Sequence, residues 1–309
     1  MKTVKSITNI YNKLSCFGKI LIFMALLLII IVFFKSFSNS KKEGFQQTDN
    51  FLFKTGDEVY DNFYASIYDY LVFNNLKNDY EIGSIINSTS PDETSVIVDI
   101  GSGTGHHVSS MASKGLNIMG IDISPSMVKE AKSKFPEYNF QVGDAMDASQ
   151  LKYNSVTHIL CLYFTIYYFK DKRQFFDNCM DWLMPGGYLI VHLVDRDRFD
   201  PILPPGNPLY IVSPQKYAKE RITKTKITFN DFVYDSNFNI DKENEIATFD
   251  EKFKFNDGKV RKQQQKLYME DVSTIVNIAQ ECGFIVQSKI DLVKCAYDYQ
   301  YVYVFTKPS

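Results

Sequence analysis

From residue 95 onward the chain alternates between two hydrophobic periods. Short apolar runs predict strands: VIVDI (Val96–Ile100), NIMGIDI (Asn117–Ile123), NFQVGDA, VTHILCLYF (Val156–Phe164) and YLIVHLV (Tyr188–Val194). Helical spacing fills the gaps. One helix runs from Val108 to Gly115 and ends on that glycine. A second runs to about Lys134, with Ser124 as its N-cap and Pro125 in its first turn. A third, Lys172–Leu183, is stopped by Pro185-Gly186-Gly187. Strands alternating with helices of this length predict βαβ units and a parallel sheet.

The flanks follow other patterns. Asp57–Leu76 and Asn78–Ile86 read as amphipathic helices, broken by a turn-rich stretch around Pro91. Beyond Asp200, ILPPGNP is a stiff loop. KTKITFNDFVYDSNF and ATFDEKFKFNDGKVRKQQQKLYM then alternate with period two, and Asn256-Asp257-Gly258 supplies a tight turn. This predicts an antiparallel β insertion of two to four strands over about 220–268. A helix from Met269 to Cys282, capped by Gly283, and two strands (FIVQSKIDL and YQYVYVF) complete the chain.

The start of the chain is different again. ILIFMALLLIIIVFF (Ile20–Phe34) is wholly apolar, and extending it back to Leu14 gives about 21 residues. A membrane span needs roughly 20. The expected organisation is a short basic segment (1–19), a transmembrane anchor (20–35), a polar tether (36–50) and a catalytic domain (51–309). This would be a single-pass membrane protein with its globular domain facing the cytoplasm. The lysines on the two flanks are nearly balanced, so orientation is weakly determined. A cleaved signal peptide is the rival, because Ser36-Phe37-Ser38 is a small-x-small site.

Composition narrows the class. The chain has 309 residues, 45% of them apolar, and a net charge of -2. The first 50 residues hold seven lysines against two acids, so the remainder is acidic. No broad basic surface exists for a phosphate backbone, and no nucleic acid partner is expected. Five cysteines without a CxxC argue against a disulfide framework and against structural zinc. The four histidines form no metal-ligand pattern, so no metal is expected.

The candidate chemistry lies at the strand ends. Asp99 closes the first strand and Gly101, Ser102, Gly103 and Gly105 follow. Such a loop permits a sharp turn and close approach of a ligand to backbone, and the next helix exposes free N–H groups. Asp122 ends the second strand, where an acid can accept from both hydroxyls of a ribose. Asp144, in Gly143-Asp144-Ala145, ends the third, within reach of an adenine amino group. These three acids share the ligand-binding rim of an open parallel sheet. A lone strand-end aspartate is often only a solvated cap.

VIVDIGSGTGHHVSSMASKG, GIDISPSMVKEAK, VGDAMD and WLMPGGYLIVHLV resemble, in order, the successive motifs of class I S-adenosylmethionine-dependent methyltransferases. The resemblance implies an α/β, Rossmann-like seven-stranded sheet, mostly parallel with an antiparallel final strand. It implies S-adenosylmethionine as cofactor, with Asp99, Gly101, Gly103 and Gly105 at its amino-acid end. Asp122 would hold the ribose, Ile123 would flank the adenine, and Asp144 with Ala145 would contact it. Cys161–Phe164 would border the sulfonium, and Tyr60, Phe63, Tyr64 and Tyr68 are candidates to cover the methionine end. The fourth-strand exit, LCLYFTIYYF, departs from the (N/D)PP(Y/F) of enzymes that methylate exocyclic nitrogens of bases.

Methyl transfer needs position and a dry pocket more than acid–base chemistry. His192 is the best histidine candidate for a general base, and Tyr163 joins it as a candidate catalytic residue at the rim. Tyr163, Thr165, Tyr167 and Tyr168 gather there and suit a cationic acceptor. A packed aromatic lid is the bland alternative. The expected acceptor is a small-molecule or lipid-like compound, small or membrane-proximal. The competing readings are a non-catalytic cofactor-binding or scaffold protein and a nucleotide-linked oxidoreductase.

Overall fold

A computed structural model describes Ser15, Phe17–Lys19, Met24 and residues 51–206 and 213–309. The chain divides into Met1–Thr48 and Asp49–Ser309, and the second unit holds all the elements below.

Its centre is a seven-stranded sheet. The strands are β2 (Val96–Ile100), β3 (Asn117–Asp122), β4 (Asn139–Val142), β5 (Val156–Cys161), β6 (Leu183–Val194), β11 (Ile285–Asp291) and β12 (Gln300–Thr306), in the order β11-β12-β6-β5-β2-β3-β4. The pairs β4-β3, β3-β2, β2-β5 and β5-β6 are parallel, whereas β12 runs antiparallel to both β6 and β11. This is the sheet expected from the sequence. The chain leaves β2 toward β3 on one side and returns to β5 on the other, so the crevice opens at the carboxyl ends of these strands.

Helices cover both faces. α2 (Asn75–Thr89), α3 (His106–Ala112) and α4 (Pro125–Lys134) pack on one, through Ile82, Ile85, Val108, Met111, Val128 and Ala131. α5 (Lys172–Trp182) and α6 (Val272–Glu281) pack on the other, through Phe175, Phe176, Cys179, Trp182 and Ile275. Local chemistry sets the starts. Ser124 Oγ accepts from Met127 N–H ahead of α4, with Pro125 in the first turn. Asp61 accepts from Tyr64 N–H to open α1 (Asn62–Val72).

A second, five-stranded sheet stands beside the first. β7 (Lys224–Thr228), β8 (Phe232–Asp241), β9 (Ile246–Phe255) and β10 (Val260–Tyr268) form an antiparallel meander, and β1 (Phe51–Thr55) adds a parallel edge. The meander has four strands, the upper end of the expectation. β1 was not anticipated, because five residues paired only at a distance carry no local signal. A third apolar cluster joins α1 to this sheet through Phe63, Tyr64, Phe232, Tyr234 and Phe253. α1 thus lies between the second sheet and the crevice.

The expected transmembrane helix needs correction. Among the described residues no helix is long and apolar enough to cross a membrane. The segment 20–35 lies outside the described residues apart from Met24. An unbroken apolar run met the length rule, but the described fold carries no such helix. Nothing in the described structure bears out the membrane anchor, the membrane as partner, the single-pass localisation or the membrane-proximal acceptor.

Candidate active site

The loop after β2 explains its own glycines. Gly101 sits at φ 69°, and an added Cβ would lie 2.5 Å from the Thr165 side chain. Gly103, at φ 53°, faces open space, with only Tyr68 near at 3.9 Å. The first glycine is demanded by the fold as well as by any ligand. At the second, it is backbone conformation and an approaching ligand that favour glycine. Gly105 faces inward, against Phe140.

Asp122 locks this loop to the next strand. Its Oδ2 accepts from Gly103 N–H and its Oδ1 from Ser124 N–H, both at 2.8 Å. Burial raises the Asp122 carboxyl, and the two backbone N–H groups partly offset this. An sp² carboxylate oxygen has a second lone pair, and Asp122 lines the crevice. Asp144 stands exposed on the rim, with its Oδ1 accepting from Met146 N–H.

These residues border a cavity of about 430 Å³. Its lining includes Gly101, Gly103, Asp122, Ile123, Asp144, Ala145 and Tyr163 from the sequence-derived set. Ile123 is 49% exposed, an apolar side chain offered to whatever enters. The crevice therefore fits an adenosine: acids for ribose hydroxyls and base amine, an apolar flank, and a loop without side chains.

A smaller space of about 80 Å³ continues from the loop toward α1 and α2, lined by Tyr68, Asp69, Lys77, Glu81, Ser102, His106, His107 and Tyr163, among others. Here charges of both signs meet. Lys77 Nζ lies 2.7 Å from Glu81, and His107 Nε2 lies 3.4 Å from it. Burial pushes Glu81 up, but Lys77 and His107 outweigh it and hold the carboxyl at about 2. Asp69 accepts from Thr104, pairs with His106 and Lys134, and so fastens α1 to the loop and to α4. The ammonium and carboxylate of an amino acid would find partners here.

Four of the sequence-derived residues lie behind this surface. Asp99 is buried beneath the loop with Oδ2 unpartnered, and burial pushes it up to about 7 despite His107 at 4.0 Å. Gly105 and Cys161 are enclosed, the thiol far from ionising. His192 is buried in β6, and burial pulls it down to about 4. Its Nδ1–H donates to the carbonyl oxygen of Tyr163, which fixes Nε2 as the bare nitrogen. It reaches the site through Tyr163 and through Phe164, whose ring it meets edge-on at 6.0 Å.

Tyr163 is central. It is a non-glycine residue at φ 53° at the exit of β5, and it lines both spaces described so far. It also lines a third, about 80 Å³, walled by Tyr60, Tyr64, Tyr68, Phe164, Tyr168, Phe199, Phe238, Phe249, Gln265 and Leu267, among others. Tyr60, Tyr68, Tyr163, Phe164 and Tyr168 border this third space and the large cavity alike. Tyr64 and Tyr68, four residues apart, share one face of α1, and Tyr60 just before the helix packs against both rings. That spacing was readable, whereas the contributions of Gln265 and Leu267, from an insertion strand, were not. Phe63 points instead into the second sheet, against Phe232 and Phe253.

Comparison with known proteins agrees with this geometry. Residues 98–191 match the family described as a methyltransferase domain. The structure of the CcbJ methyltransferase from Streptomyces caelestis is similar with a TM-score of 0.60, at 13% identity over 82% of this chain and all of the other. A dTDP-4-amino-2,3,4,6-tetradeoxy-D-glucose N,N-dimethyltransferase of Saccharopolyspora spinosa is 27% identical over 146 residues, 45% of this chain and 57% of that protein. A demethylmenaquinone methyltransferase of Chlorobaculum parvum is 31% identical over 106 residues, 33% of this chain and 42% of that protein. The chain thus spans about half the length of these curated relatives. It has the class I S-adenosylmethionine-dependent methyltransferase fold, with the methyltransferase domain at its centre. The enzyme class and the cofactor read from the sequence are supported, and the oxidoreductase reading is not.

Proposed function

We propose that this chain transfers a methyl group from S-adenosylmethionine to a nitrogen of a small amine. The names of the two relatives point to different acceptors, an aminodeoxysugar and a quinone, so names do not choose between them. The observation that carries the reading is the aromatic space. Among the described residues its lining holds one charged group, Asp200, and that group is negative. The remaining lining is aromatic faces, aliphatic groups, and Gln265 and Gln300. Aromatic faces attract cations by about 0.5–2 kcal/mol each when desolvated. A carboxylate or phosphate acceptor would enter without a counter-charge, at a desolvation cost nothing repays.

Bound S-adenosylmethionine supplies an electrophilic methyl on a sulfonium whose departure leaves a neutral thioether. The chain supplies position. Asp122 and Asp144 would hold the adenosine, while Lys77, Glu81, His106, His107 and the loop at Gly101–Gly103 would face the amino-acid end. The five shared aromatics then hold the methyl between cofactor and acceptor and exclude water. The one carboxylate of the aromatic space, Asp200, already accepts from Ile202 N–H, Ser213 Oγ and Gln215 Nε2, so the amine's proton leaves by another route.

The test is a methyl-release assay with primary and secondary amines, including an aminodeoxysugar nucleotide, against phenols, carboxylates and a quinol. Turnover confined to amines is expected. Turnover on a non-amine alone, or on nothing while cofactor still binds, defeats the proposal.

A further inference from the structure

Glu251, on β9, is a buried carboxylate that the methyl transfer described so far does not use; it is 1% exposed. It accepts from four neutral donors: Tyr64 Oη, whose single proton is shared between the two carboxylate oxygens at 2.9 and 3.0 Å, and Tyr234 Oη, Gln263 Nε2 and Gln265 Nε2 at 2.7, 2.7 and 2.8 Å. The nearest cation in this network, Arg261, is one residue removed: its Nε donates to Gln263, and its guanidinium is committed to Asp61 and the carbonyl of Val59. A buried carboxylate held only by neutral donors is costly, by several kcal/mol before its hydrogen bonds. Burial accordingly raises it, and the donors only partly offset this.

Two of its donors open onto the acceptor space. Tyr64 and Gln265 both line it. Gln265 Nε2 also donates to Tyr64 Oη at 3.2 Å, and its Oε1 accepts from Tyr60 and Tyr168, which border the cofactor cavity as well. The carboxylate is therefore one hydroxyl away from the place where an ammonium would sit.

Resting on the amine reading above, we infer that Glu251 takes the acceptor's proton through Tyr64. An ammonium nitrogen gives one proton to Tyr64 Oη as the phenol passes its own proton to Glu251. The freed lone pair forms the N–CH₃ bond while the S–CH₃ pair leaves with sulfur. The product keeps its remaining protons as a methylammonium, and Glu251, now a neutral acid, returns its proton to solvent after release. Tyr64 ends the step as a phenol, so its high proton affinity is no obstacle. The groups facing Glu251 are Tyr64 from α1, Tyr234 from β8, and Gln263 and Gln265 from β10, with Tyr163 and Tyr168 near enough to feel its charge.

The test compares wild type with Glu251→Gln and Tyr64→Phe on an amine the wild type methylates. Calorimetry with the demethylated cofactor should be unchanged in both variants. At pH 7, kcat should fall about 100-fold, in the range for a proton-transfer group, with KM moved far less. The deficit should shrink at least tenfold by pH 10, where the amine arrives already neutral. A deficit constant with pH, or none, overturns the relay and leaves the amine reading intact. Absence of wild-type turnover on every amine overturns both. Tyr64→Phe keeps the test decisive should Glu251→Gln fail to fold.

Discussion

His192 donates its Nδ1–H to the backbone carbonyl of Tyr163, whose own backbone is held at φ 53°. The two rings lie nearly parallel, 6.4 Å apart and inclined by 10°. A left-handed tyrosine costs about 1–2 kcal/mol, and the histidine helps to hold it. His192 is thus proposed as a positioning residue for Tyr163. His192→Phe should lower kcat roughly tenfold to 100-fold, with cofactor affinity within about threefold. The pH profile should keep its shape, since a group near 4 is neutral throughout the working range. Loss of an acidic limb in the variant would instead mark His192 as the base.

The same residue has a second, thermodynamic consequence. Its folded value of about 4 lies below the usual 6.5. As pH falls below about 6.5 the unfolded chain takes up a proton that the folded chain refuses, so His192 lowers stability progressively down to pH 4. The full effect is up to about 3 kcal/mol. Urea unfolding should show wild type losing more stability than His192→Phe between pH 7.5 and pH 5. Parallel losses would show that His192 is not buried neutral.

The loop glycines should rank by their surroundings. Gly101→Ala adds a Cβ 2.5 Å from Thr165 at a positive φ, whereas Gly103→Ala suffers from φ 53° alone. The second should cost about 1–2 kcal/mol and the first clearly more. Thr165→Ser in the Gly101→Ala background should not restore stability, because the Thr165 Oγ1 contact is as short as that of the methyl. Thr165→Gly should restore part. Equal costs at the two glycines in denaturant titrations would contradict this account of the turn.

Asp122 carries two duties that one substitution series can separate. Asp122→Ala removes the proposed ribose acceptor and strands the N–H groups of Gly103 and Ser124. Calorimetry should show S-adenosylmethionine binding weakened at least tenfold, about 1.4 kcal/mol. Asp122→Asn keeps one carbonyl acceptor and should fall between. An unchanged affinity in Asp122→Ala would remove the ribose assignment.

The sequence displayed the sheet and the rim because both are written locally. Strand runs from Val96 to Val194 carry their own period, and Gly101, Asp122 and Asp144 fall at strand ends that topology alone brings together. The aromatic face of α1 was visible as Tyr64 and Tyr68 at fourfold spacing, with Tyr60 just ahead of it. What stayed hidden depends on pairing at long range. β1 acquires its partner more than 200 residues later, at Phe51 and Val260. Glu251 reads as one charge in a period-two strand, with nothing nearby to announce burial among two tyrosines and two glutamines. Asp99, a motif residue, is buried and lines none of the three spaces described above. The apolar run at Ile20–Phe34 met the length rule for a span, yet among the described residues no helix is long and apolar enough to cross a membrane.

Asp69 offers the clearest coupling of stability to the site. It ties α1, which brings Tyr64 and Tyr68 to the cavities, to Thr104, His106 and Lys134. Burial raises its carboxyl, but His106, Lys134 and Thr104 outweigh that and hold it at about 2. An acid held below its usual 3.8 stabilises the fold above that value and ceases to do so as pH falls through 2. The contribution is about 2 kcal/mol at pH 7, the group being mostly enclosed, and falls to about half by pH 3. Asp69→Asn should lose that amount at pH 7 in urea unfolding, with the gap to wild type narrowing as pH is lowered to 3. Because α1 is the wall that the latch holds in place, cofactor affinity should fall with it, roughly fivefold or more. A stability gap independent of pH would mean that packing of α1, not the ion pairs at Asp69, keeps the site closed.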